Sequence, residues 1–295
     1  LYVIIIENDK LTVEIANKGA EIRSIWHKEQ SREVMWSGDP TYWGRIAPIL
    51  FPIVGRLKEG AYTYNGKSYQ LSQHGFLRDQ MFVTDDLQSD KAVFRFESSG
   101  QFADVYPFEF TVYLSYQLNG HTLTVGWEVV NDNEEEMYFS IGGHPAFKIP
   151  FRSEETFTEY ELSFKAAEGK QIERYALSNG LVQKPEIVPE LKNIGLTDSL
   201  FQHDALVYSH LDEVALYPKQ RPEEKVVVSF PRFPYVGIWS AYNPEEKTSA
   251  PFVCIEPWFG VADTVDTTGR LAEKKGIQQI GANESFKASY QIKIY

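Results

Sequence analysis

From Phe108 to Val129 the chain alternates with a period of two, and few folds accommodate that. Phe108, Phe110, Val112, Leu114, Tyr116 and Leu118 are apolar, while Glu109, Thr111, Ser115 and Gln117 stand between them. In an extended strand this spacing sends every apolar side chain to one face, so the segment reads as a half-buried strand. Asn119-Gly120 follows, a dipeptide suited to the positive φ angles of a tight turn, and Leu123, Val125, Trp127 and Val129 then resume the alternation. The prediction is a long antiparallel hairpin. Asn65-Gly66, between Ala61-Tyr62-Thr63-Tyr64 and Ser68-Tyr69-Gln70-Leu71, predicts a shorter one by the same reasoning.

Further strand-like runs are Leu11–Ala16, Glu21–Trp26, Ala92–Glu97, Met137–Ile141, Tyr160–Phe164, Ala205–Tyr208, Val214–Tyr217, Val226–Phe230, Val236–Ser240, Phe252–Glu256 and Ser285–Tyr295. Gly, Pro, Asn and Asp recur between them, and no stretch sustains the 3.6 period of an amphipathic helix. The class is therefore all-β. No Pro/Ser-rich linker, composition break or fixed-period repeat divides the chain, so residues 1–295 are expected to form a single domain. That many strands in one unit predict a large β-sandwich, two antiparallel sheets packed face to face.

The 29 basic and 41 acidic residues give a net charge of −12, with no Lys/Arg run to track a phosphate backbone, so nucleic acid is not an expected partner. The single cysteine, Cys254, leaves no internal disulfide and no Cys-rich zinc site. That composition fits a reducing cytoplasm. The apolar run Leu1-Tyr2-Val3-Ile4-Ile5-Ile6 is too short for a membrane span or a signal peptide and reads as a first strand.

Three segments set ionisable residues beside Gly or Pro where strands look to end: Gln73-His74-Gly75-Phe76, Gly142-Gly143-His144-Pro145 and Ile255-Glu256-Pro257-Trp258. Glycine lets backbone or ligand approach closely, and a group presented by a rigid strand is held more firmly than one on a loop. Each segment alone fits a turn histidine or a strand-ending glutamate better than it fits a chemical role. Arg56 follows the apolar run Phe51-Pro52-Ile53-Val54-Gly55, and serves either to hydrogen-bond sugar hydroxyls or to form a structural ion pair. Asp204, ahead of a strand, fits a hydroxyl acceptor or a turn cap, and Arg78, four residues after His74, fits an anion contact or a solvated surface. Trp258, Phe259 and Phe147 are candidates for stacking on a sugar ring, or for the core. The acidic run Asn131–Glu136 lacks the spacing of a calcium loop. The histidines lack metal-ligand spacing, so no metal site is expected.

In their order and separation, Gly55-Arg56, His74-Gly75-Phe76, Gly143-His144-Pro145 and Cys254-Ile255-Glu256-Pro257 resemble the aldose 1-epimerase (galactose mutarotase) family. The resemblance spans nearly the whole chain. It implies a β-supersandwich that interconverts the α and β anomers of an aldose through transient ring opening, an isomerase acting on a small-molecule sugar without a cofactor. It further implies that Glu256 is the general base toward the C1 hydroxyl and His144 the general acid toward the ring oxygen. By the same resemblance His74 polarises that region, and Arg56 and Asp204 hold ring hydroxyls. A histidine titrating near pH 6.5 suits both halves of such an exchange.

Two departures bear on the sugar. Galactose mutarotases carry an Asn-His-Ser/Thr-type segment in place of Gly143-His144-Pro145 and a Gln soon after the glutamate, where Pro257-Trp258 stands. His74-Gly75-Phe76-Leu77-Arg78 is instead similar to the branch that includes hexose-6-phosphate mutarotases, which implies a role for Arg78 in binding phosphate. Two other readings compete: a non-catalytic sugar-binding or sensing protein, and a glycoside hydrolase pairing Glu256 with Asp204 or Asp263.

Overall fold

The computed structural model describes residues 2–295; Leu1, the start of the first predicted strand, lies outside the described residues. Two antiparallel sheets dominate. One has nine strands, in spatial order Ile194–Gly195, Tyr160–Ala166, Leu211–Pro218, Val226–Ser229, Ser285–Ile294, Thr122–Asn131, Phe110–Asn119, Lys91–Glu97 and Val83–Leu87. The other has eight: Glu186–Val188, Ile172–Tyr175, Leu206–Ser209, Tyr235–Trp239, Phe252–Phe259, Ile141–Gly143 and Ile49–Leu50, with Ala146–Lys148 also paired to Phe252–Phe259. A four-stranded sheet begins the chain at Val3–Glu7. Helix among the described residues is confined to four single 3₁₀ turns, and none is long and apolar enough to cross a membrane.

The predicted hairpin is there, with one correction. Asn119 is still a strand residue, paired with Thr122, so the two-residue turn is Gly120-His121. Gly120, at φ 54°, takes the first central position, where a type II′ turn needs a positive φ. Asn65-Gly66 turns as expected, with both φ values positive and Tyr64 paired to Lys67. Inward residues of the hairpin (Val112, Leu114, Val125, Val129) share one apolar core with Val236, Ile238, Val253 and Ile255 of the eight-stranded sheet. Burying each such side chain stabilises the fold by about 1.5–3 kcal/mol. Phe147, at the heart of this core, and Phe259, packed against it, are core residues and not sugar platforms.

The most consequential difference concerns Phe252–Phe259. The strand predicted to stop at Glu256 runs on through Pro257 to Phe259, and the run predicted as Met137–Ile141 splits into Met137–Phe139 and Ile141–Gly143. Gly142 pairs with Trp258, and Ala146 with Cys254, at one constant register. That register sets His144 directly opposite Glu256. Ile255 N–H donates to the Pro145 carbonyl, so the Pro257 nitrogen, two residues on, faces the same neighbour at a rung where it has no hydrogen to give. Each of the two ionisable residues precedes a proline, which keeps its backbone extended.

Candidate active site

Strand alternation divides Phe252–Phe259 between two environments. Val253 and Ile255 enter the main core, whereas Phe252, Cys254, Glu256 and Trp258 face the opposite side of the sheet. There Phe252 and Cys254 join Trp36, Ala146 and Ala250 in one small apolar cluster, and Trp258 joins Leu50, Val54, Val182 and Val261 in another. Glu256 lies between the two clusters, at the floor of a cavity of about 380 Å³. This is within the ordinary size range of small-ligand sites. Arg56, His74, Arg78, His144, Asp204 and Glu256, all singled out from the sequence, line this one cavity.

His144 and Glu256 are both buried, and the His144 Nε2 stands 3.3 Å from Glu256 Oε2 without the alignment of a hydrogen bond. Trp43 lies nearly flat on the imidazole (centroids 4.7 Å apart, planes at 29°), while Trp239 and His74 meet it edge-on. Among the described residues the buried Nδ1 of His144 has no hydrogen-bond partner. Burial, with His74 next in weight, holds the His144 pKa well below its usual 6.5. Burial and the nearby Asp204 carboxylate push Glu256 well above 4.5, and the Trp258 indole N–H acts more weakly in the other direction. Both effects disfavour charge in a desolvated pocket and so favour a neutral pair: Glu256 protonated, His144 not.

His74 arrives by a different route. It has a left-handed backbone (φ 66°), as has Gly75 (φ 69°), where a Cβ would fall 2.1 Å from the Phe51 carbonyl oxygen; only glycine lets the two segments touch. His74 N–H donates to the Gly55 carbonyl, and Gly55 N–H donates back to His74 Nδ1 at 3.0 Å. An Nδ1 that accepts must carry the lone pair, which leaves the hydrogen of the neutral ring on Nε2. Burial, with Arg78 and Arg45, lowers the His74 pKa to about 3, so the ring stays neutral and Nε2–H remains a donor. The Gln73 amide lies 3.3 Å from that Nε2, and must turn its oxygen toward it or yield to a ligand atom.

The remaining candidates differ from expectation in detail. Arg56 is exposed, has no carboxylate partner among the described residues, and donates to the Asn179 carbonyl at 3.2 Å. The ion pair considered for it belongs to Asp263, which is buried, bonded to Lys274 Nζ at 2.9 Å, and absent from the cavity lining. Asp263 also accepts Lys58 N–H, and its backbone holds Arg56 and Val182, so it braces the loop that carries Arg56. Asp204 (φ 81°) uses Oδ1 on the next backbone N–H, as a turn residue does, and still borders the cavity. Arg78 donates to the Gln73 carbonyl and leaves a buried Nε unpartnered.

Trp43, Trp239 and the Leu177–Val182 hairpin are cavity walls that the sequence reading missed. A usable signal existed for the hairpin: Asn179-Gly180 is a third Asn-Gly dipeptide, and it turns with φ 51° and 75°. The tryptophans gave none, since no local pattern distinguishes a lining indole from a core one.

A family model described as aldose 1-epimerase matches residues 2–275. The chain is 30% identical to the plasmid-encoded protein LacX of Lactococcus lactis subsp. lactis, over 98% of each chain. Among solved structures it is similar to a galactose mutarotase related enzyme from Lactobacillus acidophilus, at 34% identity and TM-score 0.93, over 100% of this chain and 97% of that one. A galactose mutarotase-like protein from Lactobacillus casei superposes with TM-score 0.89 at 28% identity, over the full length of both.

Proposed function

Since the chain belongs to the aldose 1-epimerase family, we propose that it interconverts the α and β anomers of a hexose or hexose phosphate through Glu256, His144 and His74. The observation that carries this reading is the cross-strand pair, with acid and base nitrogen and oxygen 3.3 Å apart at the floor of one cavity. Ring opening needs a proton removed from O1 and another delivered to O5. Glu256 as carboxylate takes the first and protonated His144 gives the second, while His74 Nε2–H bonds the developing carbonyl. The state produced, Glu256 protonated and His144 neutral, is the one that burial favours. Burial thus favours the direction of both proton transfers, from the ion pair to the neutral pair. After rotation about C1–C2 the same transfers run backwards and close the other anomer. Arg56 and Asp204 bind ring hydroxyls, and the reaction calls for no cofactor.

Anomer exchange followed by NMR for glucose, galactose and their 6-phosphates tests the proposal. Glu256→Gln and His144→Asn should each slow exchange by roughly 10²–10⁴-fold. Exchange at the buffer rate for every sugar with the wild-type protein would overturn it, as would hydrolysis of a glycosidic bond by the same pair.

One observation favours a phosphorylated substrate. Arg78 lines the cavity with its Nε unpartnered, and Arg78 and Arg45 both act electrostatically on His74 and His144. Arg78→Ala should weaken the 6-phosphates far more than the unphosphorylated sugars. A cytoplasmic setting belongs to the same proposal, supported by the lone buried thiol.

A further inference from the structure

The register that sets His144 opposite Glu256 also sets Cys254 on the same face of the strand, two residues before Glu256 and diagonal to His144. A ring nitrogen of His144, the Cys254 sulfur and a Glu256 oxygen all lie within 4.8 Å of one another. The 3.3 Å between His144 Nε2 and Glu256 Oε2 is the edge of a tetrahedron around a zinc ion, since bonds of about 2.0–2.2 Å at a tetrahedral angle span roughly 3.3–3.5 Å. Cys254, within 4.8 Å of both, supplies the third donor of a Cys-His-Glu face. The fourth position opens to the cavity.

We propose that this cluster binds a soft divalent cation, Zn²⁺ in the first instance, and that the bound ion blocks the sugar site. A sulfur–nitrogen–carboxylate set favours zinc over magnesium or calcium, which take all-oxygen sites. The Cys254 thiol and the Glu256 carboxyl each lose a proton to solvent as the ion binds, and the ion occupies both groups assigned to the sugar, so metal and sugar exclude each other. Metal binding is independent of the mutarotase reading; only the inhibition rests on it. A second cluster, His27, Glu29 and His121, is less suited: Gln30 N–H donates to His27 Nδ1, which leaves the hydrogen on Nε2, the nitrogen facing His121.

Titration of the metal-free protein with Co²⁺ tests the site without any sugar. The expected result is a near-ultraviolet thiolate-to-cobalt charge-transfer band, competed away by Zn²⁺ and untouched by Mg²⁺. The band should be lost in Cys254→Ala and Cys254→Ser, both checked for an intact melting transition, and retained in His121→Ala. No band in wild type, or calorimetric Zn²⁺ binding that survives in both Cys254 variants or disappears in His121→Ala, overturns the site. In the exchange assay Zn²⁺ should slow wild type at least tenfold more than either Cys254 variant, with recovery on chelation. Equal inhibition of all three removes the blocking role. A protein with the cobalt band and no exchange activity would retain the site and refute only the mutarotase reading.

Discussion

Gly237 pairs with Glu256 from the other side, and a single methyl group there would press on the wall of the site. A Cβ there would fall 2.3 Å from Trp258 Cη2 and 2.4 Å from Cζ2, against the roughly 3.5–4.0 Å of an ordinary carbon contact. The indole must therefore move by about 1.2 Å or more. It has no room on its other flank, because a Cβ on Gly142 would already lie 2.6 Å from Trp258 Cδ1, so the ring is pinned between two glycines. The free direction is into the cavity. Overpacking of this kind costs about 1–3 kcal/mol. At roughly 2–4 °C per kcal/mol, Gly237→Ala should lower the melting temperature by about 2–12 °C. A displacement of about 1 Å in the wall should lower kcat/KM for anomer exchange by roughly 100-fold, equivalent to about 2.7 kcal/mol. Trp258→Phe removes the clashing atoms, so Gly237→Ala/Trp258→Phe should melt above Gly237→Ala alone. A Gly237→Ala protein with wild-type melting and kcat/KM within twofold of wild type would refute the view that the indole is a fixed wall.

The Glu256 carboxyl holds its proton more tightly in the fold than in the unfolded chain, which stabilises at acid pH and is lost as pH rises past 4.5 toward the raised folded value. Glu256→Gln should therefore resist urea better than wild type at pH 8, with the gap closing near pH 4; equal midpoints at pH 8 would count against burial as the cause. For His74 the folded pKa is depressed to about 3, so its contribution is present above 6.5 and drains away as pH falls toward 3. His74→Gln should flatten that slope in denaturation from pH 7 to pH 4. Trp43→Leu removes the π-face stacked on the His144 ring, which would favour its protonated form in the proton-transfer step by about 0.5–2 kcal/mol, so kcat should fall roughly 2–30-fold; no change in kcat or its pH profile would dismiss the contact. Lys274→Met leaves the Asp263 carboxylate buried alone and should cost about 3–5 kcal/mol in urea unfolding, partly restored in Asp263→Asn/Lys274→Met.

Local pattern carried the fold class and most of the long strands, because a half-buried strand advertises its two faces in sequence. Short strands such as Ile172–Tyr175 and Ile49–Leu50 have too few residues to show a period. The end of the Phe252–Phe259 strand differs from expectation for a physical reason: proline ordinarily stops a ladder, and here the strand runs on past a rung that forgoes one donor. Arg56, His74, Arg78, His144, Asp204 and Glu256 were legible as candidates, and they do line one cavity. Their mutual arrangement was not, since the pairing of residue 144 with residue 256 depends on register across more than a hundred residues. The same holds for Trp43 and Trp239, which reach His144 only once three separate segments have converged.

The two prolines beside that pair have a further consequence for how this sheet breathes. Pro145 and Pro257 each withdraw a hydrogen from the rungs on either side of His144 and Glu256, so each of those rungs can hold at most one of its two bonds, Ile255 to Pro145 being one of them. A zip with missing teeth cannot be drawn shut by its neighbours. The pairing is thus thinned right beside the reacting groups, which lowers the number of backbone bonds that oppose a small change in their spacing.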